Sequence, residues 1–195
     1  MSNTNDTKTY ADEAKAVKCN NGTFVGKETD GLIIWKGIPY ATQPVGKLRW
    51  KKALPAADDD GVYDATKPGH IPIGPADDSA GTAEFGEDCL VLNIYSNTSC
   101  TDSRKPVMVW IHGGGFCAES QASPLYNLTS IAKKYPDILF VSIDYRLGFL
   151  GFMTSSGFRA ERNSGRRATL ACSTSLRPSG GCRRTSPGSA VIRTM

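Results

Sequence analysis

Short apolar runs separated by turn-forming residues predict several strands in the first half of the chain. Leu32–Trp35 is a strand that runs into Lys36–Tyr40, where Gly and Pro impose a turn. Leu90–Tyr95 is a second apolar run of strand length. Residues 53–88 between them are rich in Pro, Gly, Asp and Ala and lack periodicity, which predicts a long irregular excursion.

The next three patterned segments predict a strand, a helix and a strand in that order. Val107–His112 is a continuous β-rich apolar run, as expected of a strand buried on both faces of a parallel sheet. Leu125–Tyr135 has helical apolar spacing and stops before a proline. Ile138–Ile143 is another buried strand. This βαβ unit predicts an α/β fold with a mostly parallel central sheet.

The regular spacing of apolar residues stops after Met153, and the charge changes at the same place. Residues 1–153 carry 12 Lys, 3 Arg and 18 acidic residues, a net charge of −3. Residues 154–195 carry 8 Arg, no Lys and one acidic residue, a net charge of +7. We therefore divide the chain into a folded part, 1–153, and a basic Arg/Ser-rich tail, 154–195, with the composition of a disordered segment.

Composition excludes several other classes of protein. At 39% apolar and 22% charged residues, the chain has the make-up of a soluble globular protein. We expect a cytoplasmic location, because the amino terminus has no apolar signal segment and no apolar run is long enough to span a membrane. The six cysteines show no CxxC spacing, so we expect no metal site, and no organic cofactor is implied.

The sharpest local feature is the glycine run in His112–Phe116, directly after a predicted strand. Three glycines let several backbone N–H groups point at one spot, where they can stabilise a phosphate or the oxyanion of an acyl-transfer intermediate. On local grounds a structural turn ranks first, an oxyanion loop second and a nucleotide loop third. The nucleotide reading is weakest because the run leads into Pro124 without opening a helix.

Four sequence blocks, in order and with suitable spacing, resemble the type B carboxylesterase and cholinesterase family over about residues 17–153. They are Gly37–Ala41 with Leu48–Trp50, Glu87–Tyr95, Pro106–Phe116, and Asp144–Phe149. The resemblance implies the N-terminal portion of an α/β-hydrolase fold and a serine carboxylic ester hydrolase acting on small-molecule esters. It implies no nucleic-acid or membrane partner, and it leaves the oligomeric state undetermined.

The same resemblance assigns the oxyanion hole to the backbone N–H groups of Gly114 and Gly115. It makes His112 a loop-shaping residue, and His70 reads as a plain loop or surface histidine. These are the only two histidines, and no serine lies in a G-x-S-x-G elbow, so we expect no catalytic nucleophile, acid or base in this chain. Cys89 lacks the partner that many relatives have near Ile71, so we expect a free, buried thiol.

Residues 154–195 have a separate explanation, a one-base shift in reading frame. Read in a shifted frame, Leu176 through Thr194 can encode a string ending in F-G-G-D-P-D-N, which resembles the family just before its nucleophile strand. We therefore expect an out-of-frame translation of esterase sequence and an inactive, truncated product. Two alternatives stay open: a non-catalytic cholinesterase-like binding module, and a real basic tail that contacts polyanions.

The missing continuation predicts poor folding. In this fold the strand Val107–His112 pairs with the strand that leads to the nucleophile. Without that neighbour an apolar central strand is left as an unpaired edge, which favours aggregation.

Overall fold

The computed structural model describes residues 15–75, 83–100 and 104–152, and within them a five-stranded sheet forms the centre. Its five strands are β3 (Lys27–Thr29), β4 (Leu32–Pro39), β8 (Val91–Asn97), β9 (Val107–Ile111) and β10 (Leu139–Ile143). Their spatial order across the sheet is β3-β4-β8-β10-β9. The predicted tail, 154–195, lies outside the described residues.

Parallel pairing in this sheet is confined to β9 and β10, which are joined through helix α1 (Thr129–Lys134). This confirms the predicted βαβ unit. The other three pairings, β3–β4, β4–β8 and β8–β10, are antiparallel. A mostly parallel sheet is thus wrong for the described residues: β3 and β4 form a tight hairpin, and such connections join antiparallel strands.

Each face of the sheet is covered by a different element. Alternate residues of a strand point to opposite faces, so Leu32 packs with α1 on one face while Trp35 packs on the other. That second face is covered by a small sheet of three strands in the order β1-β2-β5. Its strands are β1 (Ala16–Cys19), β2 (Asn21–Val25) and β5 (Asp59–Asp64). The hydrophobic cluster around Leu32 and the one around Trp35 thus pack on opposite faces of the sheet and hold it in place. The glycine run extends from this sheet.

Several element bounds differ from the sequence prediction. The predicted turn at Lys36–Tyr40 is wrong, because β4 continues to Pro39 through a shift in register after Trp35. The predicted irregular excursion contains β5 and a two-residue pair, β6 (Ile71–Pro72) with β7 (Phe85–Gly86). β5 is polar and mostly exposed, so it has no apolar pattern to read. The predicted helix shortens to α1, preceded by a 3₁₀ turn at Pro124–Tyr126 and followed by helix α2 (Gly148–Phe152).

Strand β9 lies at the edge of the sheet, with β10 as its one neighbour among the described strands. The prediction that it is buried on both faces is wrong: Val109, Trp110 and Ile111 are 37%, 40% and 60% exposed. By contrast β10, which has neighbours on both sides, is buried throughout. Among the described residues this apolar strand therefore lies at an open edge of the sheet, which is the condition for edge-to-edge association.

We expect the 195-residue chain to self-associate with increasing concentration, and a charge on β9 to suppress this. Val109→Lys places an ammonium on the exposed face of the edge strand, where it opposes pairing with a second copy. Leu125→Lys, at a position that is 79% exposed but outside the strand, is the matched control. Light scattering across a concentration series checks this. A chain that stays monomeric at high concentration contradicts it, as does equal suppression by both substitutions.

Candidate functional site

The candidate site lies where β9 and β10 end side by side. Because the two strands are parallel and Ile111 pairs with Ile143, the residues that follow them leave the same edge of the sheet. The segment His112–Gln121, called here the glycine loop, begins at the end of β9. Asp144 and Tyr145 follow β10 directly. The carboxyl edge of parallel strands is the usual place for ligand binding in α/β folds.

The turn within the glycine loop depends on Gly114. Its φ is +99°, and a Cβ placed there would lie 2.1 Å from the carbonyl oxygen of Ala118. The carbonyl oxygen of Gly114 itself accepts hydrogen bonds from the N–H groups of Cys117 and Ala118, each at 3.1 Å. Gly115 and Phe116 continue with φ of +61° and +62°. The run therefore folds into a tight left-handed turn that excludes a side chain at Gly114.

In the described part of the chain the N–H groups of Gly114 and Gly115 have no hydrogen-bond acceptor, and neither do those of Gly113 and Phe116 on either side, whereas the N–H groups of Cys117 and Ala118 are paired. Both glycines are exposed to solvent. Two unpaired backbone donors on adjacent residues of a tight turn can receive a developing negative charge. The predicted oxyanion donors are thus together and available in this structure.

His112 is held inside the protein at the start of the loop. Its side chain is fully buried, its ring stacks on Tyr145 with centroids 4.6 Å apart, and the Tyr145 hydroxyl donates to the His112 carbonyl at 2.9 Å. The ring Nδ1 lies 3.0 Å from the Gly113 carbonyl oxygen. Burial lowers the pKa of the imidazole. A neutral ring locked in this way has no access to a substrate and is suited to hold the loop.

Asp144 contacts both ends of the glycine loop. Its Oδ1 accepts a hydrogen bond from the Gln121 backbone N–H at 2.7 Å and lies 3.4 Å from His112 Nε2. The Tyr40 hydroxyl donates to the Asp144 carbonyl at 2.7 Å. Burial raises the pKa of the Asp144 carboxyl to about 7. The middle of the loop is tied to the same region, since the Gly148 N–H donates to the Phe116 carbonyl at 2.7 Å.

His70 and Cys89 occupy positions that fit their sequence predictions. The His70 side chain is 42% exposed and lies beside two carboxylates, with its Nδ1 2.7 Å from Asp88 Oδ1 and its Nε2 3.8 Å from Glu84 Oε2. Cys89 is free and 2% exposed. Burial raises the pKa of its thiol to about 12, so it is not a reactive thiolate at neutral pH.

Two other kinds of site are absent from residues 15–75, 83–100 and 104–152. No cluster there brings together three side chains able to ligate a metal ion. No helix in these ranges has both the length and the apolar character needed to cross a membrane.

The sequence identifies the glycines and, through the family resemblance, a loop-shaping His112, but it gives no role to the other residues that hold the loop. Asp144 and Tyr145 stood out only as part of a motif, and Gln121 carried no signal. One signal is available: Asp144 directly follows a mostly apolar strand, and an ionisable residue in the interior is costly unless it has partners. Pairing it with His112 required the parallel register of β9 and β10.

The sequence matches the Carboxylesterase family over residues 13–167. The chain belongs to this family. It is 41% identical over 143 residues to the phenmedipham hydrolase of Pseudarthrobacter oxydans and 38% identical over 141 residues to the para-nitrobenzyl esterase of Bacillus subtilis. Each alignment covers 70% of this chain but only 29% and 28% of those relatives, so the chain spans less than a third of their length.

Solved structures give the same result for the fold. A thermophilic PNB esterase superposes with a TM-score of 0.73 at 33% identity, covering 82% of this chain and 33% of that one. A carboxylesterase of Geobacillus stearothermophilus gives a TM-score of 0.63 at 40% identity, covering 71% of this chain and 27% of that one. The described sheet is therefore the N-terminal portion of an α/β-hydrolase fold.

Proposed function

We propose that this chain supplies the oxyanion hole of a serine carboxylic ester hydrolase. The observation that carries the proposal is the pair of unpartnered N–H groups on Gly114 and Gly115, in a turn fixed at the carboxyl edge of the sheet. Membership of the Carboxylesterase family supports the reaction class. The substrate class is a small-molecule carboxylic ester, and the reaction needs no metal or organic cofactor.

The mechanism follows the acyl-enzyme scheme. A serine hydroxyl attacks the ester carbonyl, a histidine takes its proton, and an acidic residue orients that histidine. The carbonyl oxygen becomes an oxyanion, which accepts hydrogen bonds from the N–H groups of Gly114 and Gly115. Each such donor typically lowers the barrier by roughly 3–4 kcal/mol, because it is aimed in advance at the charge that develops.

We assign the nucleophile, acid and base to none of the 195 residues. The sequence has no G-x-S-x-G elbow and only two histidines. His112 is buried against Tyr145 and Asp144, and the hydrogen bonds of His70 run to no serine hydroxyl. In our proposal these 195 residues therefore supply donors that stabilise the transition state, but not the nucleophile, acid and base that would generate it.

We expect the 195-residue chain alone to show no hydrolysis of a para-nitrobenzyl ester, and a chimera to show it. In the chimera, residues 15–152 of this chain replace the matching segment of the Bacillus subtilis para-nitrobenzyl esterase, which supplies the missing groups. Release of para-nitrobenzyl alcohol, measured with the unmodified esterase as reference, checks both. Turnover by the 195-residue chain that survives purification would contradict the first expectation. A folded chimera without turnover would contradict the second.

We further propose that residues 154–195 are an out-of-frame translation. This explains in one step the loss of Lys and of acidic residues after Met153 and the esterase-like string in the shifted frame. Sequencing the gene from the codon of Gly151 to well beyond that of Met195 tests it. An added or missing base with a G-x-S-x-G codon run downstream supports the proposal. An unshifted gene contradicts it.

A further inference from the structure

The two ends of the glycine loop meet at one buried carboxyl. Gln121, at the far end, donates its N–H to Asp144 Oδ1, and His112, at the near end, presents Nε2 to the same oxygen at 3.4 Å. The Asp144 and His112 side chains are 1% and 0% exposed. Asp144 Oδ2 and His112 Nε2 have no hydrogen-bond partner, although both are buried. Buried polar atoms are rarely left unsatisfied, so this pair calls for an explanation.

The proton on the His112 ring can be placed from its contacts. A backbone carbonyl only accepts hydrogen bonds, so the contact of Nδ1 with the Gly113 carbonyl puts the hydrogen on Nδ1. In the neutral ring Nε2 then carries a lone pair and needs a donor. Among the described residues the acidic group facing it is the Asp144 carboxyl, which can be that donor when it is protonated. Burial favours the neutral form of both groups.

We propose that Asp144 is a positioning residue for the glycine loop: as a neutral carboxylic acid it donates to His112 Nε2 and accepts from the Gln121 N–H, and so holds both ends of the loop. The Gly114 and Gly115 donors lie between those ends, so their direction depends on this link. The role in catalysis rests on the proposed function, whereas the link itself is a property of this chain.

The alternative is an ion pair, with an Asp144 carboxylate and a doubly protonated His112 ring. Both arrangements contain one shared proton, and they differ in where it resides. The ion pair places two charges at a fully buried position, where removal from water costs several kcal/mol per ion. It also leaves Asp144 Oδ2 as a buried charged oxygen without a donor. The neutral pair avoids burying the two charges, and it leaves Oδ2 without a donor but uncharged.

The proton's position can be read in the unaltered 195-residue chain after labelling histidine rings with ¹⁵N. Only His70 and His112 contribute, and the 42% exposed His70 gives an internal reference. We expect the His112 ring to show one protonated nitrogen, Nδ1, and an unprotonated Nε2 at pH 6. A doubly protonated His112 ring at that pH overturns the proposal, as does a hydrogen on Nε2 alone.

Hydrogen exchange in two Asp144 variants tests the link to the loop. We expect Asp144→Ala to speed exchange at the Gln121, Cys117 and Ala118 amides by about tenfold or more, with the β8 amides changed by less than about twofold. We expect Asp144→Asn to restore slow exchange once its amide turns about the Cβ–Cγ bond, so that its oxygen accepts from the Gln121 N–H and its N–H faces His112 Nε2. Asp88→Asn alters the exposed contact with His70 and is the matched control, expected to leave the loop amides unchanged.

Unchanged loop exchange in Asp144→Ala overturns the proposal, and so does an equal increase across the whole sheet, which would indicate general destabilisation. If Asp144→Ala does not fold, the proposal is tested by the ¹⁵N spectrum of the His112 ring and by hydrogen exchange in Asp144→Asn. Fast exchange of the loop amides in a folded Asp144→Asn variant contradicts the link. None of these readouts uses ester hydrolysis. A held loop in this chain with an inactive chimera would therefore reject the proposed function and leave the link intact.

Discussion

Replacing Gly114 by alanine lowers kcat/KM of the chimera by about 10²–10³, the loss expected when an oxyanion donor is removed. The added Cβ would lie 2.1 Å from the Ala118 carbonyl oxygen, and the φ of +99° is itself unfavourable for alanine. The turn must open, and the donors at Gly114 and Gly115 then point elsewhere. Hydrolysis of the para-nitrobenzyl ester by the Gly114→Ala chimera measures the effect.

Gly46→Ala is the matched control for this substitution. Gly46 also has a positive φ, +56°, but no atom lies within 4 Å of a Cβ placed there. We expect it to cost a similar backbone strain of about 1–2 kcal/mol in stability with kcat/KM within about twofold of the parent chimera. A Gly114→Ala chimera that is folded and as active as the Gly46→Ala chimera would show that the turn does not position the oxyanion donors.

We expect the free energy of unfolding of the 195-residue chain, measured relative to that of the Asp144→Asn variant, to be larger in mild acid than at neutral pH. Burial raises the pKa of this group from 3.8 to about 7, so between these values the folded state binds a proton that the unfolded state releases. Its stabilising contribution is complete below the lower value and is lost as the pH rises through the upper one. From pH 5 to pH 8 the loss amounts to about 2–3 kcal/mol.

The comparison with Asp144→Asn isolates this contribution, because the amide stays neutral at every pH. His112 acts in the opposite direction: burial lowers its pKa, so its contribution improves as the pH rises through the ordinary histidine range, in both proteins. Tyr40 and Cys89, also near the carboxyl, have pKa values raised by burial and stay neutral throughout. Arg146 stays charged throughout, because the pKa of a guanidinium lies far above this range.

The measurement is urea unfolding of dilute wild-type chain and the Asp144→Asn variant at pH 5, 6, 7 and 8. We expect the free energy of unfolding of the wild type, relative to the variant, to fall from pH 5 to pH 7 and to level off towards pH 8. A constant difference, or a wild type that gains on the variant with rising pH, contradicts a buried carboxyl that is neutral below pH 7. The sign of this change with pH distinguishes the two protonation states, because an ionised, hydrogen-bonded carboxylate would give no such fall.

The parts of the fold that sequence reasoning predicted are those with strong local patterns. The apolar run of β10 and the helical spacing around α1 were sufficient, and the glycine run was located to the residue. The sequence does not predict strand β5, DDGVYD, because this strand is polar and exposed and is stabilised by its pairing with β2. The apolar composition of β9 predicts a fully buried strand, but burial depends on neighbouring strands, which composition does not encode.

The candidate site divides in the same way. The glycine run is visible locally, whereas its assignment as the oxyanion loop at Gly114 and Gly115 comes from the resemblance to the family. The roles of Asp144 and Gln121 depend on parallel pairing of β9 and β10 across a separation of 23 residues between the two partners. That contact is determined by the tertiary structure, so the local sequence pattern does not predict that these two residues lie together.

The most direct test of the proposed oxyanion hole is a structure of the chimera after reaction with an alkyl phosphonate, which mimics the tetrahedral intermediate on the nucleophile. We expect the phosphonyl oxygen to lie about 2.7–3.1 Å from the backbone nitrogens of both Gly114 and Gly115. A phosphonyl oxygen that points to solvent, or that is held by donors outside the glycine loop, would contradict it.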